Sequence, residues 1–180
     1  MFVQTELTPN PNSLKFLPGK NVSNSGPYEI TNKEDMQNEL VRNILSVNGV
    51  EGIFLGKDFI SVNKNDDTKW EEIKHIVISL INDFYADGKE FVIDENVEEK
   101  ISDLNEIEEK IVKILEQKIR PAVARDGGDI KFKEFKDGGV KVQLQGSCSG
   151  CPSSTMTLKQ GVQNLLCHYL PEVKEVVAIQ

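Results

Sequence analysis

The chain has 180 residues, of which 38% are hydrophobic and 28% are charged, and its formal net charge is −8. This balance is typical of a folded globular protein and excludes a disordered one. No apolar run approaches the roughly 20 residues that span a bilayer, and no basic stripe favours binding of nucleic acid. We therefore expect neither a membrane nor a nucleic acid as a partner. Three cysteines are too few, and odd in number, for a secreted disulfide framework.

Residues 1–93 are predicted to form a small α+β domain. Apolar patterning bounded by proline, glycine and asparagine indicates strands at 2–7, 14–17, 50–55, 59–62 and 91–93. Apolar residues at helical spacing indicate one helix from Thr31 or Asn32 to about Ser46 and another from about Thr68 to Tyr85. Residues 20–27 are interpreted as a loop.

The acidic stretch 94–102 is interpreted as a linker, and residues 103–180 as a second α+β domain. A long helix is predicted to begin at Ser102 or Asp103 and to end or kink at Pro121, because proline has no backbone N–H to donate. The remaining pattern predicts a turn at 125–129, a hairpin of strands 130–135 and 140–145, a helix at 153–169 and a strand at 173–179. In both domains a short sheet is expected to pack against amphipathic helices, so the predicted fold class is α+β.

The negative charge is concentrated in the first half of the chain. Residues 1–102 contain 18 acidic and 10 basic residues, a net charge of −8, whereas residues 103–180 contain 11 of each. We interpret the acidic half as a solvated surface that aids solubility, with a docking surface for a basic partner as the alternative.

The segment from Gly146 to Ser154 contains Cys148 and Cys151 at C-x-x-C spacing, between a predicted strand and a predicted helix. Two sulfurs at this spacing can converge on one metal centre without backbone strain. The N–H groups and the dipole of the following helix, which Ser153 or Ser154 can cap, are expected to favour the thiolate form. Because thiolates bind soft metals and carry redox chemistry, we predict that Cys148 and Cys151 are metal or cluster ligands.

One chain supplies only two of the four ligands that most such sites need. Cys167 and His168 lie on the predicted helix at 153–169, roughly 20 Å from the loop at about 1.5 Å per residue, and His75 belongs to the other domain. Cys167 is therefore interpreted as a small apolar residue near a surface or partner helix. A second loop in a two-fold dimer would supply four thiolates, the ligand set of a [4Fe-4S] or [2Fe-2S] cluster.

Two other uses of the loop stay open at this point, a thiol–disulfide oxidoreductase and a structural zinc-bridged dimer. The first normally shows C-x-x-C in a βαβ context, which is missing here. No Ser/His/Asp or Cys/His catalytic set is evident in the sequence, so we do not expect an enzyme.

Two motifs resemble those of a known family. The cysteine segment, preceded by Arg120-Pro121 and by Arg125-Asp-Gly-Gly-Asp129, is similar to the NifU C-terminal domain, and the opening Thr8-Pro-Asn-Pro-Asn-Ser-Leu-Lys-Phe16 resembles the N-terminal domain of Nfu-type proteins. In this order they resemble the mitochondrial and alphaproteobacterial type of Nfu. The resemblance implies an iron–sulfur scaffold or carrier that holds a labile [4Fe-4S] cluster between two chains and passes it to apo-proteins.

The same resemblance implies that Cys148 and Cys151 are the cluster ligands, and that the partners are apo iron–sulfur proteins and upstream cluster-assembly proteins. The start of the chain shows neither a basic signal peptide nor an Arg-rich transit peptide, since no arginine precedes Arg42. We therefore expect a bacterial cytoplasmic protein, or a mitochondrial matrix protein if a presequence has been removed.

Overall fold

The computed structural model describes residues 2–23, 27–32, 38–90, 103–149 and 152–179, and for residues 152–154 it describes the backbone alone. The chain divides into two compact units, Met1–Asn96 and Val97–Gln180. Each unit combines helices with a sheet, which confirms the predicted α+β class. The predicted strand at 91–93 and the predicted linker at 94–102 lie outside the described residues.

The first unit contains a five-stranded sheet in the order β1-β2-β5-β4-β3, in which all neighbours are antiparallel. Its strands are β1 (Gln4–Leu7), β2 (Ser13–Leu17), β3 (Tyr28–Ile30), β4 (Val50–Leu55) and β5 (Ile60–Lys64). Four of these confirm predicted strands to within a few residues. Strand β3 was not predicted from the sequence, because three residues are too few to show alternation and this strand is formed by its pairing with β4.

Two helices complete this unit, α1 (Glu39–Leu45) and α2 (Trp70–Ala86). Asn38 is the N-cap of α1, and its side-chain oxygen accepts a hydrogen bond from the Val41 N–H at 3.2 Å. The predicted cap at Thr31 or Asn32 is therefore wrong for the described helix, and residues 33–37 lie outside the described residues. The unit's core is built from apolar side chains of the sheet and of both helices, including Phe16, Leu40, Ile44, Ile53, Ile60, Val77 and Ile81.

The proline-rich turn between β1 and β2 is fixed by hydrogen bonds. The Thr8 hydroxyl donates to the carbonyls of Asn10 at 2.8 Å and Ser13 at 3.0 Å. The Trp70 indole N–H, at the start of α2, donates to the Pro11 carbonyl at 3.0 Å. The turn that carries the N-terminal motif therefore ties the edge of the sheet to α2.

The second unit contains a three-stranded sheet in the order β6-β7-β8, with β6 (Gly128–Lys136), β7 (Gly139–Gly146) and β8 (Glu175–Ile179). The β6–β7 hairpin is antiparallel, whereas β8 runs parallel to β7. Asp137 and Gly138 turn the hairpin with φ of 51° and 81°, the left-handed geometry that favours glycine and Asp in tight hairpins. The hairpin and the last strand confirm the prediction, although the parallel pairing was not foreseen.

The helices of this unit are α3 (Glu106–Ile114), α4 (Arg120–Arg125) and α5 (Pro152–Tyr169). A π-helical segment, Leu115–Ile119, joins α3 to α4. The helical path therefore continues past Pro121, so the predicted end at this residue is wrong, whereas the alternative of a kink there stays a prediction. Pro121 is the second residue of α4 and follows the π-helical segment directly after Arg120.

The core of the second unit lies between its helices and one face of its sheet. Its most buried members are Ile111, Leu115, Ile130, Val140, Val142, Val162, Leu166 and Val176. No described helix in either unit is long and apolar enough to cross a membrane.

Candidate functional site

Cys148 lies in the loop that leads from β7 to α5. Gly146 ends the strand with a φ of 67°, a left-handed value that redirects the chain. The next residue, Ser147, is buried, and its N–H donates to the Gly127 carbonyl at 3.2 Å while its hydroxyl donates to the Asp126 carbonyl. The loop is thereby held against the turn that precedes β6.

The thiol of Cys148 points into the protein and is 7% exposed. It belongs to the apolar core of the second unit, and it lies directly over Gly128. A β-carbon added at Gly128 would stand 2.7 Å from the Cys148 sulfur and 2.6 Å from the Gln145 carbonyl oxygen, both closer than real contacts allow. The sulfur therefore occupies a space that exists because residue 128 has no side chain.

Burial raises the pKa of the Cys148 thiol from its ordinary value of 9.0 to about 11. A hydrogen bond from Ser147 lowers the pKa by less, and the nearby carboxylates of Asp126 and Asp129 raise it further. The expectation that the helix terminus holds Cys148 as a thiolate is wrong for this state of the chain. Loss of hydration on burial outweighs the hydrogen bond with Ser147, so Cys148 keeps its proton at neutral pH.

The loop is also attached to α5. The Thr155 hydroxyl, in the first turn of that helix, donates to the Cys148 carbonyl at 3.1 Å. Ser149 closes the turn after the strand, with its N–H at 3.1 Å and its hydroxyl at 2.8 Å from the Gly146 carbonyl. The second predicted ligand, Cys151, lies outside the described residues, as do the side chains of the predicted caps Ser153 and Ser154.

A half-buried ion pair joins the start of α4 to the start of β6, and it was not predicted from the sequence. Arg120 donates from Nε and from a terminal nitrogen to the two carboxylate oxygens of Asp129, at 2.9 and 3.0 Å. The Asp129 side chain is 6% exposed, and the pair raises the pKa of Arg120. Both residues stand in the motifs quoted for the family resemblance, which was the available signal for a shared role.

The other candidate ligands lie elsewhere. Cys167 is half-buried near the far end of α5, and its sulfur is 3.2 Å from the Val173 carbonyl. Because α5 is one continuous helix, Cys167 is roughly 20 Å from the loop at about 1.5 Å per residue. His168 and His75 are exposed. Among the described residues, no three His, Cys, Asp or Glu side chains are grouped so that they could hold a metal ion.

The fold and the loop together define a class of small α+β protein whose motif of two cysteines lies between a sheet and a helix. Metal and cluster carriers and thiol oxidoreductases belong to this class. Comparison with known proteins shows which family within this class the chain resembles. The family described as "NifU-like domain" matches residues 111–177, and the family described as "Scaffold protein Nfu/NifU N terminal" matches residues 3–88.

Curated relatives match 98% of this chain. NifU-like protein 4, mitochondrial, of Arabidopsis thaliana is 43% identical, and the chain covers 65% of its length. The NFU1 iron-sulfur cluster scaffold homolog, mitochondrial, of Homo sapiens is also 43% identical, with 71% of its length covered. The chain belongs to the Nfu family of NifU-like iron–sulfur cluster scaffold proteins.

Solved structures match parts of the chain. The solution structure of a NifU-like protein from Saccharomyces cerevisiae is 30% identical, with a TM-score of 0.48 over 53% of this chain and 87% of that one. The crystal structure of a Staphylococcus aureus protein is 32% identical, with a TM-score of 0.41 over 44% of this chain and 98% of that one.

Proposed function

We propose that this protein is an iron–sulfur cluster scaffold or carrier that holds a [4Fe-4S] cluster as cargo between two copies of the chain and transfers it to apo-proteins. Cys148 and Cys151 of each copy are the proposed ligands. The observation that carries the proposal is the position of Cys148 on the β7–α5 loop, within the region that matches the NifU-like domain. Two such loops provide the four thiolates that a cubane cluster needs.

The burial of Cys148 bears on how such a cargo would be held and released. To ligate iron, the thiol has to leave its place over Gly128 and lose its proton. When the cluster departs, the sulfur can return to the apolar core. Burying the thiol again offsets part of the lost ligation energy, so the resting position of Cys148 favours release and suits a carrier better than a permanent site.

A thiol–disulfide oxidoreductase is disfavoured by the same geometry. Catalytic cysteines of that class are partly exposed and have a lowered pKa, because the thiolate is the attacking species. Cys148 is buried and has a raised pKa. The proposed role is therefore transfer of a cluster without catalysis of a thiol exchange. A zinc ion bridging two loops is the remaining alternative, and metal analysis would reveal it.

The names of the curated relatives also bear on location. The relatives described above are named mitochondrial, which favours the mitochondrial matrix over the bacterial cytoplasm that we expected. Fractionation of the source cells, with detection of this protein in each fraction, would test the assignment.

Cysteine substitution tests the proposal directly. Anaerobic reconstitution with iron and sulfide should give a brown chromophore in the wild-type chain. Cys148→Ser and Cys151→Ser should each abolish it, because either change leaves an incomplete ligand set. The measurements are the visible absorbance of the iron–sulfur chromophore and the iron and sulfide content of each variant.

Cys167→Ser is the matched control, since it removes a thiol that lies roughly 20 Å from the loop at about 1.5 Å per helical residue. It should retain the full chromophore. Loss of the cluster in this variant would contradict the ligand assignment, and a wild-type chain that stays colourless would contradict the proposed function.

A further inference from the structure

Strand β1 lies at an edge of the five-stranded sheet, and among the described strands it pairs with β2 alone. An edge strand presents N–H and C=O groups with which a strand of another chain can pair. The one charged residue of β1, Glu6, is bonded across the ladder to Lys15 at 3.1 Å. Phe2 precedes the strand and Leu7 ends it, and they are 81% and 88% exposed, the highest values among the described large hydrophobic residues. The edge therefore carries little of the charge that usually keeps such strands from pairing, and both of its ends are apolar.

A groove with a volume of about 500 Å³ lies beside this edge, between residues 2–5 and α2. The helix lines it with Lys74, Ile78 and Asn82, three half-buried residues that recur at every fourth position and so form one stripe. Lys74 is the one charged residue among those that line the groove. The groove therefore favours a ligand that brings a carboxylate, although residues 1–102 have a net charge of −8.

Asn82 gives the groove a second polar requirement. Its side-chain oxygen is buried and accepts no hydrogen bond from any described residue. A buried acceptor without a donor is costly, because it has lost its bonds to water and gained none in return. A ligand that brings an N–H or O–H group to this side chain therefore gains a hydrogen bond that the described part of the chain does not supply.

The helix and the edge strand run in opposite directions along the groove. Near the start of α2, the Trp70 indole N–H donates to the carbonyl of Pro11, in the turn after β1, at 3.0 Å. Farther along the helix, Asn82 lines the groove together with residues 2–5, at the start of β1. Residues four apart on a helix are separated by about 6 Å, and alternate residues of a strand by about 6.6 Å. A strand added to β1 therefore places alternate side chains in step with the α2 stripe.

We infer that β1 and this groove bind an extended segment of a partner protein, which adds a further strand to the sheet. Its inward side chains, at alternate positions, are a carboxylate for Lys74, an apolar group for Ile78 and a hydrogen-bond donor for Asn82. Backbone hydrogen bonds to β1 supply affinity, and the three side chains supply specificity. This inference goes beyond the proposed function and does not rest on it, since the groove belongs to the first unit and the cysteine loop to the second.

A second copy of this chain fits the groove less well. If two β1 strands paired, the side chains that enter each groove would be Val3 and Thr5, because Val3 belongs to the core on the helix side of the sheet and side chains alternate along a strand. Neither brings a carboxylate to Lys74. The Glu6 carboxylate lies on the opposite face, where it is bonded to Lys15.

Titration of the metal-free, ¹⁵N-labelled full chain with synthetic peptides, followed by NMR, tests the inference. The probes are Thr-Glu-Thr-Val-Thr-Gln-Thr and the same sequence in reverse order, because the added strand can run in either direction. One of them should bind with a dissociation constant of about 0.1 mM and shift the amide signals of β1 and α2. The same peptide with lysine in place of glutamate should bind about tenfold more weakly.

A charge reversal at Lys74 should reverse this preference. Lys74→Glu should bind the lysine peptide about tenfold more tightly than the glutamate peptide, and that gain also shows that the variant is folded. Lys57→Glu is the matched control, since it makes the same charge change at an exposed residue between β4 and β5 that does not line the groove. It should keep the preference of the wild-type chain.

Three results would overturn the inference, namely no binding of either peptide at about 1 mM, equal affinity for the glutamate and lysine peptides, or an unchanged preference in Lys74→Glu. Pairing of two metal-free chains through β1, seen as a doubled mass together with shifts of the β1 signals at high protein concentration, would assign the edge to a second copy and overturn it as well. Because every sample is free of metal, these results leave the proposed cluster function to its own test.

Discussion

At the scale of single residues, Cys148 shows how packing can reverse an expectation drawn from sequence. The C-x-x-C spacing and the following helix favour a thiolate, but neither reveals that Gly128 leaves room for the sulfur in the core. Position 128 is distant from Cys148 in sequence, so only the pairing of β6 with β7 brings them together. The position of the cysteine loop between a strand and a helix could be predicted from the sequence, whereas the burial of the Cys148 thiol could not.

We predict that Cys148 of the metal-free protein reacts slowly with an alkylating reagent at pH 8, because its thiol is buried and keeps its proton. The rate should rise as the pH approaches the raised pKa of about 11. The folded chain holds this proton more tightly than the unfolded chain, so stability from this group is present below about pH 9 and is lost toward pH 11. Peptide-level mass spectrometry of the alkylated protein gives the rate at each cysteine.

Substitution of Gly128 tests whether the labelling rate of Cys148 depends on the space that this glycine leaves for the sulfur. Gly128→Ala should speed the labelling of Cys148, since the added methyl group occupies the place of the sulfur. Gly161→Ala should not, because nothing lies within 4 Å of a β-carbon at Gly161. If Cys148 of the wild-type protein is labelled as fast as a solvent-exposed thiol at pH 8, the buried position is wrong.

At the scale of elements, the pattern of the sequence located most helices and strands because each buries one apolar face. The exceptions depend on contacts that are remote in sequence or on backbone detail. Strand β3 is created by its pairing with β4, and the π-helical segment before Pro121 lets the helix pass a residue that normally stops it. Neither feature has a local signal of its own.

The ion pair between Arg120 and Asp129 links α4 to the first residues of β6, and its removal gives an element-scale prediction. Asp129→Asn should lower the free energy of unfolding by about 2 kcal/mol, because the half-buried Arg120 loses the bidentate carboxylate of the buried Asp129. Glu134→Gln is the control on the same strand. It removes the exposed pair with Lys141, which should leave stability without measurable change. Equal losses in the free energy of unfolding for the two substitutions, measured by urea denaturation, would show that the pair between Arg120 and Asp129 stabilises the fold no more than an exposed pair does.

At the scale of the whole molecule, the two units differ in what they offer. The thiols and the ion pair between Arg120 and Asp129 belong to the second unit, whereas the excess of acidic residues lies in the first half of the chain. Under the proposed function, the second unit binds the cluster and the acidic first unit contributes to recognition of partners. The central claim, that two chains complete one site, belongs to this scale.

Native mass spectrometry of the full chain after anaerobic reconstitution, combined with iron and sulfide analysis, tests that claim most directly. The account predicts a species of two chains that carries a single [4Fe-4S] cluster, and dissociation to single chains when a chelator removes the iron. A single chain that retains a complete cluster, or a pair of chains bridged by zinc, would contradict it.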